Sequence, residues 1–309
     1  MLYELRYRRL QDTSVHNNKI YGRLGLNTET SVNGGNMNQR SQSRHAAKWM
    51  MSGLFATAAM AALLSAAPAM AGSVTQPGET IGLATGSPLP EGWYALDTTD
   101  YGQRTPPSNE SIGVTIPVIA WSTPYHLLGA RVQALVAAPL VEASTPGSHV
   151  SGWYNPWVAG QLAWDLGNGF GASYLLGVYA GVDSPVADHS TSLNQRFALS
   201  YVANSYTLSA NVIYGSQFGS KTAPDYVNLD LTATKSFGKW SVGPVGYYSS
   251  DVSKPTPGYQ EQSQFALGGL VGYNFGPVVM QTYLTRGVAQ SNYGGDDTRF
   301  WFRFLVPLS

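Results

Sequence analysis

The segment DTRFWFRFLVPLS, Asp297 to Ser309, decides the fold. Phe300, Phe302, Phe304, Val306 and Leu308 fall at every second position, with Arg299 and Arg303 between them. Successive side chains of an extended strand point to opposite faces, so this stretch has one apolar face and one face carrying two guanidinium groups. A soluble sheet and a membrane barrel both use that alternation. The rest of the chain selects between them.

Upstream the same pattern recurs. Val227, Leu229, Leu231 and Ala233 interleave with Asn228, Asp230, Thr232 and Thr234, and Tyr206, Leu208, Ala210, Val212 and Tyr214 interleave with Thr207, Ser209 and Asn211. Val158, Leu162, Trp164 and Leu166 alternate with Gln161 and Asp165, and Phe265, Leu267, Val271, Tyr273 and Phe275 oppose Gln264, Ala266, Gly268 and Asn274. Residues 240–249 and 278–286 alternate poorly. Compact Gly, Asn or Pro clusters fall at WSTPYH (121–126), LGNGF (166–170), VANSY (202–206), SFGKW (236–240) and NFGP (274–277). Longer polar breaks fall between and outside them, at 97–111, 142–155, 181–195, 216–226, 250–262 and 287–297. Short and long breaks therefore alternate, which segregates the long ones to one end of a sheet. A soluble sandwich has no reason for that segregation, whereas a membrane barrel has tight turns at one end and longer loops at the other. The expectation is an all-β, transmembrane, antiparallel up-and-down barrel of about 12 strands over residues 91–309, with short periplasmic turns and longer extracellular loops.

Composition agrees. Charged residues make up 12% of the chain, about half the share of an ordinary soluble domain. With no cysteine, disulfides, thiolate metal sites and cysteine nucleophiles are excluded. Arg44 and Lys48 precede the apolar run WMMSGLFATAAMAALLSAAPAMAG, which ends in Ala69-Met70-Ala71. That order is the one a secretory signal peptide shows, so residues 37–71 read as a signal cleaved after Ala71. Residues 1–36 read as an upstream extension that is not native, with translation starting at Met37. Residues 72–309 keep ten Lys or Arg against fifteen Asp or Glu, which argues against nucleic acid as a partner.

Aromatic residues cluster where strands meet breaks. Trp121, Trp164, Phe170, Tyr206, Phe237, Trp240 and Phe275 flank the short turns, and Trp157, Tyr214 and Tyr226 border the long loops. Amphipathic rings favour the headgroup level, so two such rows predict two membrane interfaces. The last strand is then expected to close on the first, because an open sheet edge in hydrocarbon leaves backbone groups unpaired. Outward apolar faces turn Arg131, Gln133, Gln161, Asp165, Arg196, Asn211, Asp230, Gln264, Gln281, Arg299 and Arg303 toward the lumen. These residues line either a polar constriction or a filled structural interior. Residues 72–90 have no period and are expected as a periplasmic N-terminal segment, with a short partial plug as the alternative.

Chemistry of other kinds leaves little trace. His126, His149 and His189 stand near turns or loops, the last two beside Ser148 and Ser190, and no Gly-x-Ser-x-Gly elbow, His-Glu-x-x-His or phosphate loop occurs. No catalytic residues, metal or cofactor are expected, and the chain reads as a non-enzyme.

The stretches LPEGWYALD (89–97), PVIAWSTPYHLLGARVQALVAAPLVEAS (117–144) and GWYNPWVAGQLAWDL (152–166), with LNQRFALSYVANSYTLSANVIYG (193–215) and DYVNLDLTATKSFGKWSVGPVGYY (225–248), resemble the outer-membrane proteins grouped as the MetA-pathway phenol-degradation family. That family resembles the wider group of aromatic-hydrocarbon and fatty-acid channels. The resemblance implies a bacterial outer-membrane channel for passive uptake of small, partly apolar solutes, with outer-membrane lipid, the barrel-assembly machinery and the solute as partners. The alternatives are a lipase-like outer-membrane hydrolase and a filled structural or adhesive barrel. The ending Leu308-Ser309 departs from the terminal aromatic of many outer-membrane barrels.

Overall fold

The computed structural model describes residues 73–308 apart from positions 188, 219, 221 and 222. The signal peptide with its cleavage point, the 1–36 extension and the terminal Ser309 lie outside the described residues. The alternating runs form strands β1 (Gly92–Arg104), β2 (Ser111–Leu127), β3 (Ala130–Ala137), β4 (Leu140–Thr145), β5 (Ser148–Trp153), β6 (Trp157–Gly167) and β7 (Phe170–Tyr179). They continue as β8 (Thr191–Ala203), β9 (Tyr206–Phe218), β10 (Tyr226–Phe237), β11 (Trp240–Asp251), β12 (Ser263–Asn274), β13 (Val279–Ser291) and β14 (Asp297–Pro307).

Twelve of these strands close into an antiparallel transmembrane barrel, and β4 and β5 form an extra hairpin continuing its wall. Closure is made by β1 on β14, in register from Tyr94 opposite Pro307 to Arg104 opposite Asp297. β1 also pairs with β2 along nearly its whole length, so the backbone groups of the first strand find partners on both sides. The unfavourable runs 240–249 and 278–286 are strands as well, because neighbours impose the pairing. β11 keeps register with β12 through Pro244, whose missing donor is tolerated at one ladder position.

All five tight connections place residues at positive φ: Leu128-Gly129, Asn168-Gly169, Asn204-Ser205 and Gly238 in the two-residue hairpins, and Gly276 in the longer β12–β13 turn. The first of these corrects the turn expected at 121–126. β2 runs on to Leu127 with an irregularity between Ser122 and His126, and the chain reverses at Leu128-Gly129.

The polar break expected at 142–155 is also corrected, since most of it is the β4–β5 hairpin. β3 and β4 lie end to end against β2, with Ala137 opposite Val118 and Leu140 opposite Thr115. Pro139 separates them, and only Ala138 N–H spans the gap, donating to Pro117 O at 3.3 Å. A proline lacks the donor that would continue the ladder. β5 and β6 are separated likewise, at Asn155-Pro156.

The expected periplasmic segment lies elsewhere. Residues 73–91 run through the lumen, from Leu89 beside Ser122 at the turn end to Thr75 beside Tyr179 and Tyr226 at the loop end. They coil by short turns, Glu79 N–H to Gln76 O, Ile81 N–H to Gly78 O and Leu83 N–H to Thr80 O. Ile81 is fully buried among Val245, Tyr247, Leu270, Tyr283 and Trp301. This buried apolar cluster is therefore a plug-to-wall contact inside the barrel.

Candidate functional site

Strand alternation presents a polar inner wall, and the plug uses it. Asp230, on the inward row of β10, accepts from Gly78 N–H at 2.8 Å, Thr80 N–H at 2.9 Å and the Thr80 hydroxyl at 2.6 Å. Asn211 Nδ2 donates to the same hydroxyl at 3.0 Å. Gly82 N–H donates to the Thr232 hydroxyl at 2.8 Å, and Gln281 Nε2 donates to Gly82 O at 2.9 Å. From β14, Arg303 donates to the carbonyls of Glu79 and Ile81 and to the Gln281 side chain. The coil thus has its backbone groups partnered by wall side chains, as a buried irregular segment must. Nearer the turn end, Gly86 passes so close to β7 and β8 that an added Cβ would lie 2.6 Å from Ser200 N.

Glu79 projects from the plug and pairs with Arg196 of β8 at 2.7 Å. The Arg196 guanidinium lies over the Trp157 ring, 4.7 Å from its centre, and its Nε donates to Asn194 at 2.7 Å. With Asp230 and Arg303 close by, two acids face two bases, so this part of the lumen has no net charge to select ions of one sign.

A cavity of about 110 Å³ remains between the plug and the inner faces of β1, β2, β3, β6, β7, β8 and β9. Leu83, Leu96, Ile116, Val118, Leu135 and Leu175 give it an apolar lining, and Glu79, Gln161 and Arg196 add polar groups to it. One Glu79 oxygen takes the Arg196 bond, and the other has no partner among the described residues. Such a space offers a carboxylate acceptor beside hydrocarbon.

The residues expected in the lumen fall into three groups. Arg196, Asn211, Asp230, Gln281, Arg303 and Gln161 touch the plug, the last through Thr85 O at 3.2 Å. Arg299 and Gln264 are buried toward the loop end, Arg299 between Asp100 and Asp297 and Gln264 against the Tyr293 hydroxyl at 2.8 Å. Gln133, Arg131 and Asp165 lie toward the turn end. Gln133 donates to the Ser122 hydroxyl, Arg131 donates to Thr123 O at 3.0 Å, and Asp165 is exposed and accepts from Gly167 N–H at 2.9 Å. Arg131 is the second residue of β3, beside the turn.

Two rings expected at the interface face inward instead. Trp157 lines the cavity, and Tyr226 is fully buried against Thr75. The exposed rings of Phe170, Tyr206, Phe237, Trp240 and Phe275 stay outside, as does Trp121, stacked on Trp93 at 5.2 Å. Trp164 donates to Leu128 O at 3.0 Å, and the Tyr214 hydroxyl reaches Asp225 at 3.4 Å. Sequence reasoning missed Glu79 and Thr80, since nothing in an aperiodic segment marks which of its residues will meet a wall.

His149 meets Ser144 across the β4–β5 hairpin, Nδ1 to Oγ at 2.8 Å, rather than the adjacent Ser148. The pair is solvent-exposed, and no carboxylate among the described residues bonds its ring. His189 stands 3.9 Å from Asp183, also exposed. Among the described residues no group of three His, Cys, Asp or Glu is placed to hold a metal ion.

Among solved structures, the chain is similar to the COG4313 outer membrane channel from Pseudomonas putida F1. The TM-score is 0.57 at 14% identity, over 75% of this chain and 99% of that one. It is more distantly similar to the β domain of the Bordetella autotransporter BrkA, with a TM-score of 0.45 at 14% identity over 70% and 99%. Identities this low speak for the fold alone. A search of the curated proteins finds no match. The profile of the family described as "Putative MetA-pathway of phenol degradation" matches residues 96–304, β1 through β14. On a match spanning more than half of its length and nearly its whole barrel, the chain belongs to that phenol-degradation family.

Proposed function

We propose that the protein is a channel of the bacterial outer membrane, without catalytic activity, for passive uptake of small, partly apolar solutes that pass beside a fixed plug. The observation that carries this reading is the cavity between plug and wall, apolar along β1, β2 and β3 and polar at Glu79 and Gln161. At about 110 Å³ it is smaller than the apolar cavity of about 150 Å³ that holds benzene, so a single ring, with small side-chain shifts, is the largest group it takes. The unpaired Glu79 oxygen suits a hydroxyl donor, so phenol and similar ring alcohols are the solutes of choice. The structural likeness to an outer-membrane channel and the family match support the same reading.

Liposomes carrying the purified protein test it. Phenol and benzyl alcohol are expected to enter faster than into empty liposomes, and Leu135→Trp, which fills the cavity from β3, is expected to cut that excess severalfold. Entry no faster than into empty liposomes would overturn the channel in favour of a filled structural barrel.

A further inference from the structure

The lipid face of the barrel carries a carboxylate where its pattern calls for an apolar side chain. The outward positions of β1 are Trp93, Ala95, Asp97, Thr99 and Tyr101, since Tyr94, Thr98, Asp100 and Gly102 are the buried, inward ones. Trp93 and Tyr101 are 45% and 50% exposed, and each lies four residues from Asp97, about 13 Å along the strand. Rings of this kind mark the two membrane interfaces. Asp97 therefore stands midway between them, in the middle of the hydrocarbon band.

An ionisable group at that depth carries a cost, and it calls for a partner. The partners present are slight. The Thr99 hydroxyl donates to Asp97 at 3.1 Å and stands 3.2 Å from the Thr115 hydroxyl. No ion pair of Asp97 occurs among the described residues, and no Lys, Arg or His lines the groove in which it sits. That groove, of about 470 Å³, is cut into the outer wall where the Ala138-Pro139 break separates β3 from β4 alongside Pro117 of β2. Its sides are Ile119, Val136 and Phe304, all apolar.

We propose that this groove is a membrane-side binding site for amphiphilic amines. The ammonium group meets the Asp97 carboxylate, with Thr99 and Thr115 beside it, and the alkyl or ring portion lies along Phe304, Ile119 and Val136. A carboxylate without a cation in a low-dielectric setting selects a positively charged head, and apolar walls select a hydrocarbon tail. A bare metal ion lacks that tail and would find one acid where it needs several ligands. Asp97 is on the lipid-facing row, and Leu96, Val118 and Ala137 form the wall between this groove and the lumenal cavity, so the site stands whether or not the barrel conducts.

Titration calorimetry of the full chain in lipid nanodiscs tests this, with hexylamine as the probe and hexanol and hexanoate as controls. Heats from empty nanodiscs are subtracted. Hexylamine is expected to bind the wild type at least tenfold more tightly than Asp97→Asn, while hexanol and hexanoate bind both proteins weakly and alike. Leu135→Trp, which blocks the lumenal cavity, is expected to leave hexylamine binding unchanged. Equal hexylamine binding by Asp97→Asn would overturn the proposal, as would hexanoate binding as well as hexylamine or loss of hexylamine binding in Leu135→Trp. Asp97→Leu supplies a second readout: it should abolish the binding without lowering resistance to heat in detergent. A marked loss of that resistance would mean that Asp97 serves the wall through Thr99, and would equally overturn the site.

Discussion

Asp230 shows how much one residue carries here. Its two oxygens receive three plug donors, so Asp230→Ala would strand two backbone N–H groups and a hydroxyl inside the barrel. Each stranded group costs about 1–3 kcal/mol. The expected outcome is a plug that leaves its seat, read as a severalfold rise in single-channel conductance in planar bilayers. Glu110 gives a pH-dependent case outside the membrane. It bonds Arg104 at 3.0 Å in the β1–β2 loop, and burial pushes its carboxyl above the usual glutamate range, opposed by Arg104. A carboxyl that holds its proton more tightly when folded stabilises the fold in acid, and this contribution is lost as pH rises through the elevated folded value. As pH rises from about 4 through the elevated folded value, the wild type should lose heat resistance relative to Glu110→Gln, as followed by heat-modified migration on gels. Single residues also show where sequence reading went astray. Trp157 shares strand parity with Gln161, and Tyr226 with Asn228 and Asp230, so the period of two had placed both inside. The clustering of rings near breaks pointed the other way, and inside a strand the period wins because the pleat leaves a side chain no third direction.

Among the elements, strands were far easier to read than the plug. A strand announces itself through its own alternation, because one face meets lipid and the other a polar interior. The plug has no such regularity. Its position depends on bonds to residues more than a hundred positions away, such as Thr80 to Asp230 and Ile81 to Arg303, and no local pattern encodes them. The β4–β5 hairpin was hidden for a related reason, since its Ser, Gly and Thr residues resemble a loop and only pairing with β2 makes them a sheet. The β2–β3 turn offers a test at this level. Leu128 has φ 54°, a conformation that costs an ordinary L-residue about 1–2 kcal/mol. Leu128→Asn should relieve part of that and raise the midpoint of heat modification, without changing conductance, because Leu128 is 80% exposed at the tip of the turn.

For the whole molecule, the decisive physical statement is that the two faces of one sheet meet different media. The outer face offers Phe300, Leu199, Leu208 and Val212, each largely exposed. The inner face buries Asp230, Asn228 and Arg303 around a plug. A soluble protein would do the reverse, since apolar surface left in water is unfavourable by about 25 cal/mol per Å². Tryptophans report on both media at once. Trp240 is 52% exposed on the outer face and Trp301 is fully buried inside against Tyr283, at 5.0 Å between ring centres. Variants that keep a single tryptophan can be placed in bilayers whose acyl chains carry bromine, a short-range quencher. Trp240 should lose most of its fluorescence there, whereas Trp301, and Trp157 beside Arg196, should keep theirs because the wall and plug separate them from lipid. Quenching of all three alike would mean that the sheet does not divide lipid from lumen. Equal fluorescence of all three in brominated and plain lipid would mean that the outer face never meets hydrocarbon.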